Sequence, residues 1–487
     1  MMNQDAHDLK RFGYTQELFR DMGGFSNFAI SFSIISILTG AVSLYGYGLD
    51  MGGPLQMTLG WPVATVFTLA LAISMAELCS AYPTSGAMYH WASALGGVGW
   101  GWFVAWMNIT GLVAAQAGIN YSCAQFILPF LRIAVSPRNI FLMFVFTLLI
   151  HALLNQYGVK LVARLNDISV TVHIIGVVAI VAGIFFFAPL KPMSFLVTPS
   201  QHPPIQASYL WLFLLGLLQA QWTYTGFDAS AHMSEETSNA RRTAPWGIVL
   251  SVGVSGIAGY AMLIALTLAI HSIPDILAAK DAQGNVVPAA IAIFNTAFGA
   301  KIGNSLAALA SMAMWFCGLS CLTSGSRAVY ALARDRGLPW SRFFSRVNQK
   351  HGTPGPAIWA IACASLLAMA WSGAVPIITS LSTVALYVGY TIPVILGLRA
   401  RRRSPSWTEA SRWSVGKWGP FVNVIAIVYS AVVCCVLVMP PNQLAGKTIA
   451  GVLSVLIVVY LSGVRKRFKG PEWARSTAIL HTGEHHE

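Results

Sequence analysis

Apolar residues run along this chain in long blocks, separated by short polar stretches, and the blocks have the length of a lipid-spanning helix. About 20 mostly apolar residues carry a helix across a bilayer. Twelve stretches meet that measure: 24–48, 60–80, 98–131, 138–154, 166–188, 207–232, 244–270, 302–333, 356–372, 375–398, 418–438 and 446–464. They are too long for the strands of a membrane barrel and lack period-two alternation. A shorter apolar run, Val286 to Phe298, predicts a helix on the outer surface between the seventh and eighth spans. The predicted fold class is an all-α polytopic membrane protein.

Composition removes the soluble alternatives. Of 487 residues, 56% are hydrophobic and only 10% charged, with a mean hydropathy of +0.63; soluble chains carry roughly 25% charged residues. A water-facing surface cannot be covered by so few charges, and disorder fails for the same reason. The net charge of +13 is explained by distribution. With both termini inside, 23 of the 30 basic residues fall on the cytoplasmic side and six outside (Arg132, Arg138, Lys191, Lys280, Lys301 and Lys447), leaving Arg327 within the eighth span. That asymmetry is the positive-inside pattern, so no nucleic-acid partner is needed to account for it. The run Arg399 to Arg403 belongs to the same signal, or meets anionic lipid. The seven cysteines lie in apolar stretches, an odd set with no polar-loop member, and read as core thiols. The polar N-terminus, with Lys10, Arg11 and Arg20, carries no cleavable signal pattern. His485 and His486 read as a solvated tail.

Charged or titratable groups inside a membrane are costly and mark function by default. Here they are Glu77, His151, Asp167, His173, Asp228, His232 and Arg327. Glu77, Asp167, His232 and Arg327 lie close enough to a cytoplasmic end to be wetted, which leaves His173 and Asp228 as the deep pair. A second irregularity is a Thr-Gly step near the middle of two spans, Thr39-Gly40 in the first and Thr225-Gly226 in the sixth. Glycines in membrane helices often only permit close packing. Two of them five spans apart also fit two inverted five-helix repeats whose first helices unwind at mid-membrane. Unwinding frees backbone groups: amides at Thr39 to Ala41 suit a carboxylate, and carbonyls at Trp222 to Tyr224 suit an ammonium. Ser169 and His173 stand one helical turn apart, but no third orienting residue or oxyanion site accompanies them, so an intramembrane enzyme is only a distant alternative.

Four segments carry a family resemblance. Ala76 to Ser93 reads AELCSAYPTSGAMYHWAS, Tyr224 to Thr237 reads YTGFDASAHMSEET, and Arg334 to Ser341 reads RDRGLPWS. With the N-terminal FGYTQELFRDMGGFSNFAISFSIIS, they resemble the amino acid/choline transporter family of the amino acid–polyamine–organocation superfamily, over Arg11 to Arg465. The resemblance implies twelve helices with a five-plus-five inverted repeat, helices one and six broken at mid-membrane, and transport by alternating access. The domains expected are a cytoplasmic tail (1–23), a first repeat (24–188), a second, inverted repeat (207–398), a basic loop with helices eleven and twelve (399–464) and a cytoplasmic tail (465–487).

Carried over residue by residue, the substrate's carboxylate falls on Thr39, Gly40 and Ala41, and its amine on Trp222, Tyr224 and Thr225. Phe227 takes the place of an aromatic gate. Ser320, Thr323 and Ser324 occupy the region where sodium-coupled relatives hold their ion, and His173 the place of a lysine found in some proton-coupled ones. His173 can stand in for a cation only when protonated, which an ordinary imidazole reaches near neutral pH; otherwise it is a neutral ring bonded to a carbonyl. Asp228 either caps the second half of helix six or meets a cationic substrate. Glu77, Glu235 and Glu236 are expected as cytoplasmic gate ion pairs. Trp106, Asn108, Gln116, Met314 and Trp315 are further pocket candidates, or packing.

The expected function is a permease of the cytoplasmic (inner) membrane, importing an amino acid or ω-amino acid such as 4-aminobutyrate. No cofactor or metal is expected, with protons as coupling ion and sodium as the alternative. Other readings are an amine without a carboxylate (choline, ethanolamine or a polyamine) and an amino acid exchanger. The expected partners are that solute and the bilayer; the sequence leaves the oligomeric state open, a monomer being compatible with it.

Overall fold

The computed structural model describes residues 9–10, 12–157, 159–201, 203–372, 375–403, 406–409 and 411–475; His485 and His486 lie outside them. The described chain is helical, and its only β pairing is three isolated bridges. Among the described residues ten helices are long and apolar enough to cross a membrane, and Gly355–Ser372 is a shorter apolar one that corresponds to the ninth predicted span. The sixth predicted span is divided into Tyr209–Gly216, Leu218–Thr223 and Ala229–His232. The first is divided as well, into Gly24–Ile35, Gly40–Ser43 and Tyr45–Gly52. The longer gap in each, 36–39 and 224–228, falls at the Thr-Gly step, and single residues, Leu44 and Leu217, separate the other pieces.

The remaining spans are Trp61–Ala81, Val98–Ile127, Pro137–Tyr157, Val159–Phe187, Ala240–Leu268, Ala289–Arg334, Val375–Arg403, Gly419–Val438 and Gln443–Val459. The predicted short helix before the eighth span is present from Ala289 as a helix of its own, and it ends at Gly299, where the backbone is not helical (φ 78°, ψ 157°), before the eighth span begins. The fifth span starts at Val159 instead of 166, because the polar residues of its first turns escape an apolar ruler but still form helix. A further buried helix, Met88–Gly96, follows the second span and packs on the third and tenth.

Packing repeats on a shift of five. The third span lies against the tenth and the ninth, as the eighth lies against the fifth and the fourth. The first packs on the fifth and seventh, as the sixth packs on the tenth and second. The second meets the seventh and the third meets the eighth, pairs that the shift maps onto themselves. Each half thus offers equivalent surfaces to the other, and because five crossings are odd, the second half enters the bilayer in the opposite sense. Burial follows the same plan: 83% of the first span's apolar window is buried but only 17% of the twelfth's. The broken helices are therefore central, and the last span is a lipid-facing flank.

Residues 16–22, ahead of the first span, are tied to the rest of the protein. The Met22 amide donates to the Glu236 carbonyl (3.0 Å), Gln16 Nε2 to the Glu235 carbonyl (2.9 Å) and Arg20 to the Thr237 carbonyl (2.6 Å). Turn 234–237 leaves backbone carbonyls at a helix end, and the N-terminal strip satisfies them.

Candidate substrate site between the broken helices

The two breaks touch. A Cβ on Gly40 would lie 2.3 Å from Thr223 Oγ1 and 2.7 Å from Thr223 Cα, so no side chain fits between the backbones. Gly226 has φ +92°, and a Cβ there would meet Ile34 Cγ2 at 2.1 Å. Glycine is needed at one position for close approach and at the other for backbone conformation as well.

A small cavity lies at the meeting point, lined by Ile34, Ile35, Thr39, Gly40, Leu112, Ala115, Ile119, Trp222, Thr223, Thr225, Gly226, Cys317 and Leu386, with about 10 Å³ of free space. That is room for roughly one water, so the site is closed and must widen to take a solute. Of the predicted substrate residues, Thr39, Gly40, Trp222 and Thr225 line it. Ala41, Tyr224, Phe227 and Asp228 do not. The Tyr224 hydroxyl turns toward the second span, 2.5 Å from Thr65 Oγ1, and Phe227 packs on Tyr390 with ring centroids 4.9 Å apart. Trp106, Gln116, Met314 and Trp315 are also absent from its lining.

Several backbone groups expected to face substrate are occupied in this closed state. The amides of Thr39 and Gly40 both donate to the Ser36 carbonyl (2.8 and 3.1 Å). The Trp222 carbonyl accepts from the Thr225 amide (3.0 Å) and hydroxyl (2.7 Å). Hydrocarbon cannot solvate free backbone groups, so local turns close over them until something else takes their place.

His173 is bonded to the break itself. Its Nδ1 lies 2.8 Å from the Ser169 carbonyl, to which it must donate, and its Nε2 lies 2.7 Å from Ser36 Oγ. Ser36 Oγ is in turn 2.5 Å from Thr39 Oγ1. A neutral ring satisfies both contacts. The eighth-span residues expected to share the ion region with it bond elsewhere: Ser320 donates to Asn166 Oδ1 and Thr323 to Asn155 Oδ1, each at 2.7 Å. Ser324 is buried beside them.

Asp228 is fully buried but makes no capping bond to helix Ala229–His232, against that expectation. The Tyr390 hydroxyl donates to its Oδ1 at 2.5 Å, and Asn108 Nδ2 to its Oδ2 at 3.4 Å. These neighbours from the tenth and third spans outcompete the amides of a four-residue helix. His232 Nε2 lies 3.2 Å from Asp228 Oδ2.

Beyond this layer one end of the bundle is closed by three carboxylate–arginine pairs. Glu236 holds Arg327 through two bonds (2.8 and 3.2 Å), Glu235 holds Arg334 through two (both 2.9 Å), and Glu77 pairs with Arg401. Glu77, His232 and Arg327 are 0–1% exposed, so they are not wetted as their position near a span end predicts; protein partners replace water there. Glu235 also accepts from the Ser85 amide (3.0 Å) and hydroxyl (2.8 Å). Burial raises its pKa, but Arg334 and the Ser85 bonds outweigh burial and hold it down at about 2. Tyr14, Tyr89 and His90 all bond the Asp335 carboxylate (2.9–3.1 Å), and the Arg334 guanidinium lies 3.7 Å from the Tyr14 ring centroid. Tyr14, His90 and Asp335 stood in the sequence only as members of the resembling segments, with no role of their own, and Tyr390 carried no distinct signal. They are named only by the partners the fold brings to them.

A bundle of apolar spans with two interrupted helices meeting at a closed central site defines a polytopic solute transporter. The chain belongs to the amino acid permease family, whose model matches residues 22–464. It is 32% identical to the amino-acid permease BAT1 of Arabidopsis thaliana, over 97% of both chains. It is 32% identical to the BAT1 homolog of Oryza sativa, over 95% of this chain and 94% of the other. With the GABA-specific permease of Saccharomyces cerevisiae it shares 28% identity, over 91% of this chain and 80% of the relative. The protein is an amino acid transporter embedded in lipid, and not an enzyme.

Proposed function

We propose that the protein imports a small amino acid or ω-amino acid, 4-aminobutyrate among them, across the cytoplasmic membrane by alternating access driven by protons. The observation that carries this reading is the shared cavity between the two breaks, where Thr39 and Gly40 face Trp222 and Thr225. Backbone donors on one helix and acceptors on the other complement a zwitterion once their local bonds are exchanged for bonds to substrate. The relatives named for amino acids and for GABA support that class. An amine without a carboxylate fits less well: no carboxylate lines the cavity, and Asp228 is engaged elsewhere. The asymmetry of basic loop residues supports an orientation with both termini in the cytoplasm.

Within this reading His173 is the group at the first break. In the neutral ring Nε2 accepts from Ser36; a protonated ring would donate to it and turn the Ser36 hydroxyl toward Thr39. Proton binding would thus alter hydrogen bonding at the carboxylate end of the site.

Two measurements test the proposal. Thermal stabilisation against amino acids, 4-aminobutyrate, choline and polyamines is expected only with compounds bearing both an amine and a carboxylate, since a ligand of the folded state raises the melting temperature by mass action. Stabilisation confined to compounds lacking a carboxylate overturns the substrate class. Uptake into proteoliposomes is expected to follow an inward proton gradient; a strict sodium requirement overturns the coupling.

A further inference from the structure

Asp228 and His232 lie one helical turn apart on the second half of the broken sixth span, both buried. His232 Nδ1 is 2.9 Å from the Ser85 carbonyl. A carbonyl has no proton to give, so Nδ1 carries one and donates it. In a neutral ring this leaves a bare lone pair on Nε2, facing Asp228 Oδ2 at 3.2 Å, within ion-pair distance though without the alignment of a hydrogen bond. A lone pair against an ionised carboxylate is repulsive, and the burial of both groups keeps bulk solvent from screening it. One proton removes the conflict, on Nε2 as imidazolium or on Oδ2 as acid. A second would set donor against donor.

We propose that Asp228 and His232 share a single exchangeable proton, and that this pair is a coupling site of the transporter. The inference deepens the proton-driven reading above and rests on it for its role in transport. The surroundings account for transmission in both directions. Toward the substrate, Tyr390 donates to Asp228 Oδ1 and accepts from the Gly226 amide (3.1 Å), the glycine of the break. Away from it, Ser85 takes the His232 proton on its carbonyl and gives its own amide and hydroxyl to Glu235, the partner of Arg334.

The titratable groups facing the pair are Tyr390 from the tenth span, Cys321 from the eighth, and Glu235 with Arg334 beyond Ser85. The third span contributes the neutral Asn108 to the pair, and the residues that the first and seventh spans bring to this turn, Asn27, Ser31 and Gly247, are neutral and meet Ser230. With the proton gone, an Asp228 carboxylate would accept from Tyr390 and Asn108 while still facing the Nε2 lone pair of His232, so the repulsion would remain. Loss of the proton therefore needs water at the pair, which means opening. The proton is not consumed; it enters from one side of the membrane, resides on the pair, and leaves to the other.

Reconstituted full-length protein tests the proposal with two readouts. Infrared and histidine-selective ¹⁵N spectra of wild type at pH 7.5 are expected to show either a protonated carboxyl band that Asp228→Asn removes, or imidazolium signals that His232→Gln removes. Absence of both signals overturns the proposal, whatever the transport result. With a one-unit inward pH gradient, wild type is expected to accumulate 4-aminobutyrate, or the amino acid that stabilises it, about tenfold, the ratio one proton per solute supports. His232→Gln is expected to fall to about one-fold while substrate counterflow, which needs no net proton movement, persists and shows that the variant is folded. Undiminished accumulation in His232→Gln overturns the coupling role. If wild type itself does not respond to the gradient, the proton-driven reading fails and the coupling role with it, while the spectra still decide whether the pair holds a proton.

Discussion

Gly40 and Thr223 meet with no room for a methyl group between them: a Cβ on Gly40 would stand 2.3 Å from the threonine hydroxyl oxygen and 2.7 Å from its Cα. The second distance matters more, because a side chain can rotate away while a backbone atom of a packed helix cannot. Gly40→Ala is expected to push the first and sixth spans apart where they form the site. Overpacking of this kind costs about 1–3 kcal/mol. Uptake should be lost, and added substrate should no longer raise the melting temperature. Wild-type uptake by this variant would mean that the closed contact is not on the transport path.

Gly226 combines a positive φ with a Cβ position 2.1 Å from Ile34 Cγ2. The two penalties can be separated. Ile34→Ala opens space but leaves the backbone requirement, so Gly226→Ala should be rescued only in part by Ile34→Ala. The melting temperatures of the two single variants and the double variant measure this. Full rescue would assign the glycine to close packing alone.

The spans were legible in the sequence because a bilayer permits few alternatives to a long apolar helix. The breaks were legible because Thr39-Gly40 and Thr225-Gly226 stand in corresponding places. Helix Met88–Gly96 was not: nine residues mixing Tyr, His, Trp and Ser resemble a loop by any apolar measure, and only burial between the third and tenth spans makes them helical. Partners were the least legible part. Asp228 meets Tyr390 at a separation of 162 residues, and Glu235 meets Arg334 at 99. Local pattern therefore marked Asp228 as unusual without saying what holds it, and it hid the closed state, in which Ser36 and Thr225 take the backbone groups expected to face substrate.

Glu235 and Arg334 are a pair in which each leaves a buried charge if the other is removed. Arg334→Leu is expected to destabilise by about 3–5 kcal/mol, and the Glu235→Gln, Arg334→Leu double variant by less, because no charge is then stranded. Thermal unfolding in detergent measures both. The pair also sets an expectation for pH. Glu235 has a lowered pKa, so its stabilising contribution is complete above the usual carboxylate range and is lost only as the pH falls toward about 2. Between pH 5 and 8 it is constant. A transport profile that changes across that window should therefore keep its shape in Glu235→Gln, whatever happens to its height; a flattened profile would place the titrating group at this gate.

His173 joins the fifth span to the first at the residue where the first helix stops. Its role depends on which way the hydrogen bond to Ser36 runs. His173→Gln can donate its amide N–H to Ser36 at any pH but cannot change charge. His173→Leu can do neither, and leaves the Ser36 hydroxyl with Thr39 alone. If the ring acts only by holding the break, Gln should keep most of the uptake and its pH dependence, and Leu should lose uptake at every pH. If protonation of the ring is part of coupling, Gln should bind substrate yet show accumulation that no longer responds to the proton gradient. Uptake measured from pH 5 to 8, with and without an imposed gradient, separates these outcomes. Joined with the same series on His232→Gln, it decides whether the driving proton is read at the first break, at the sixth span, or at both.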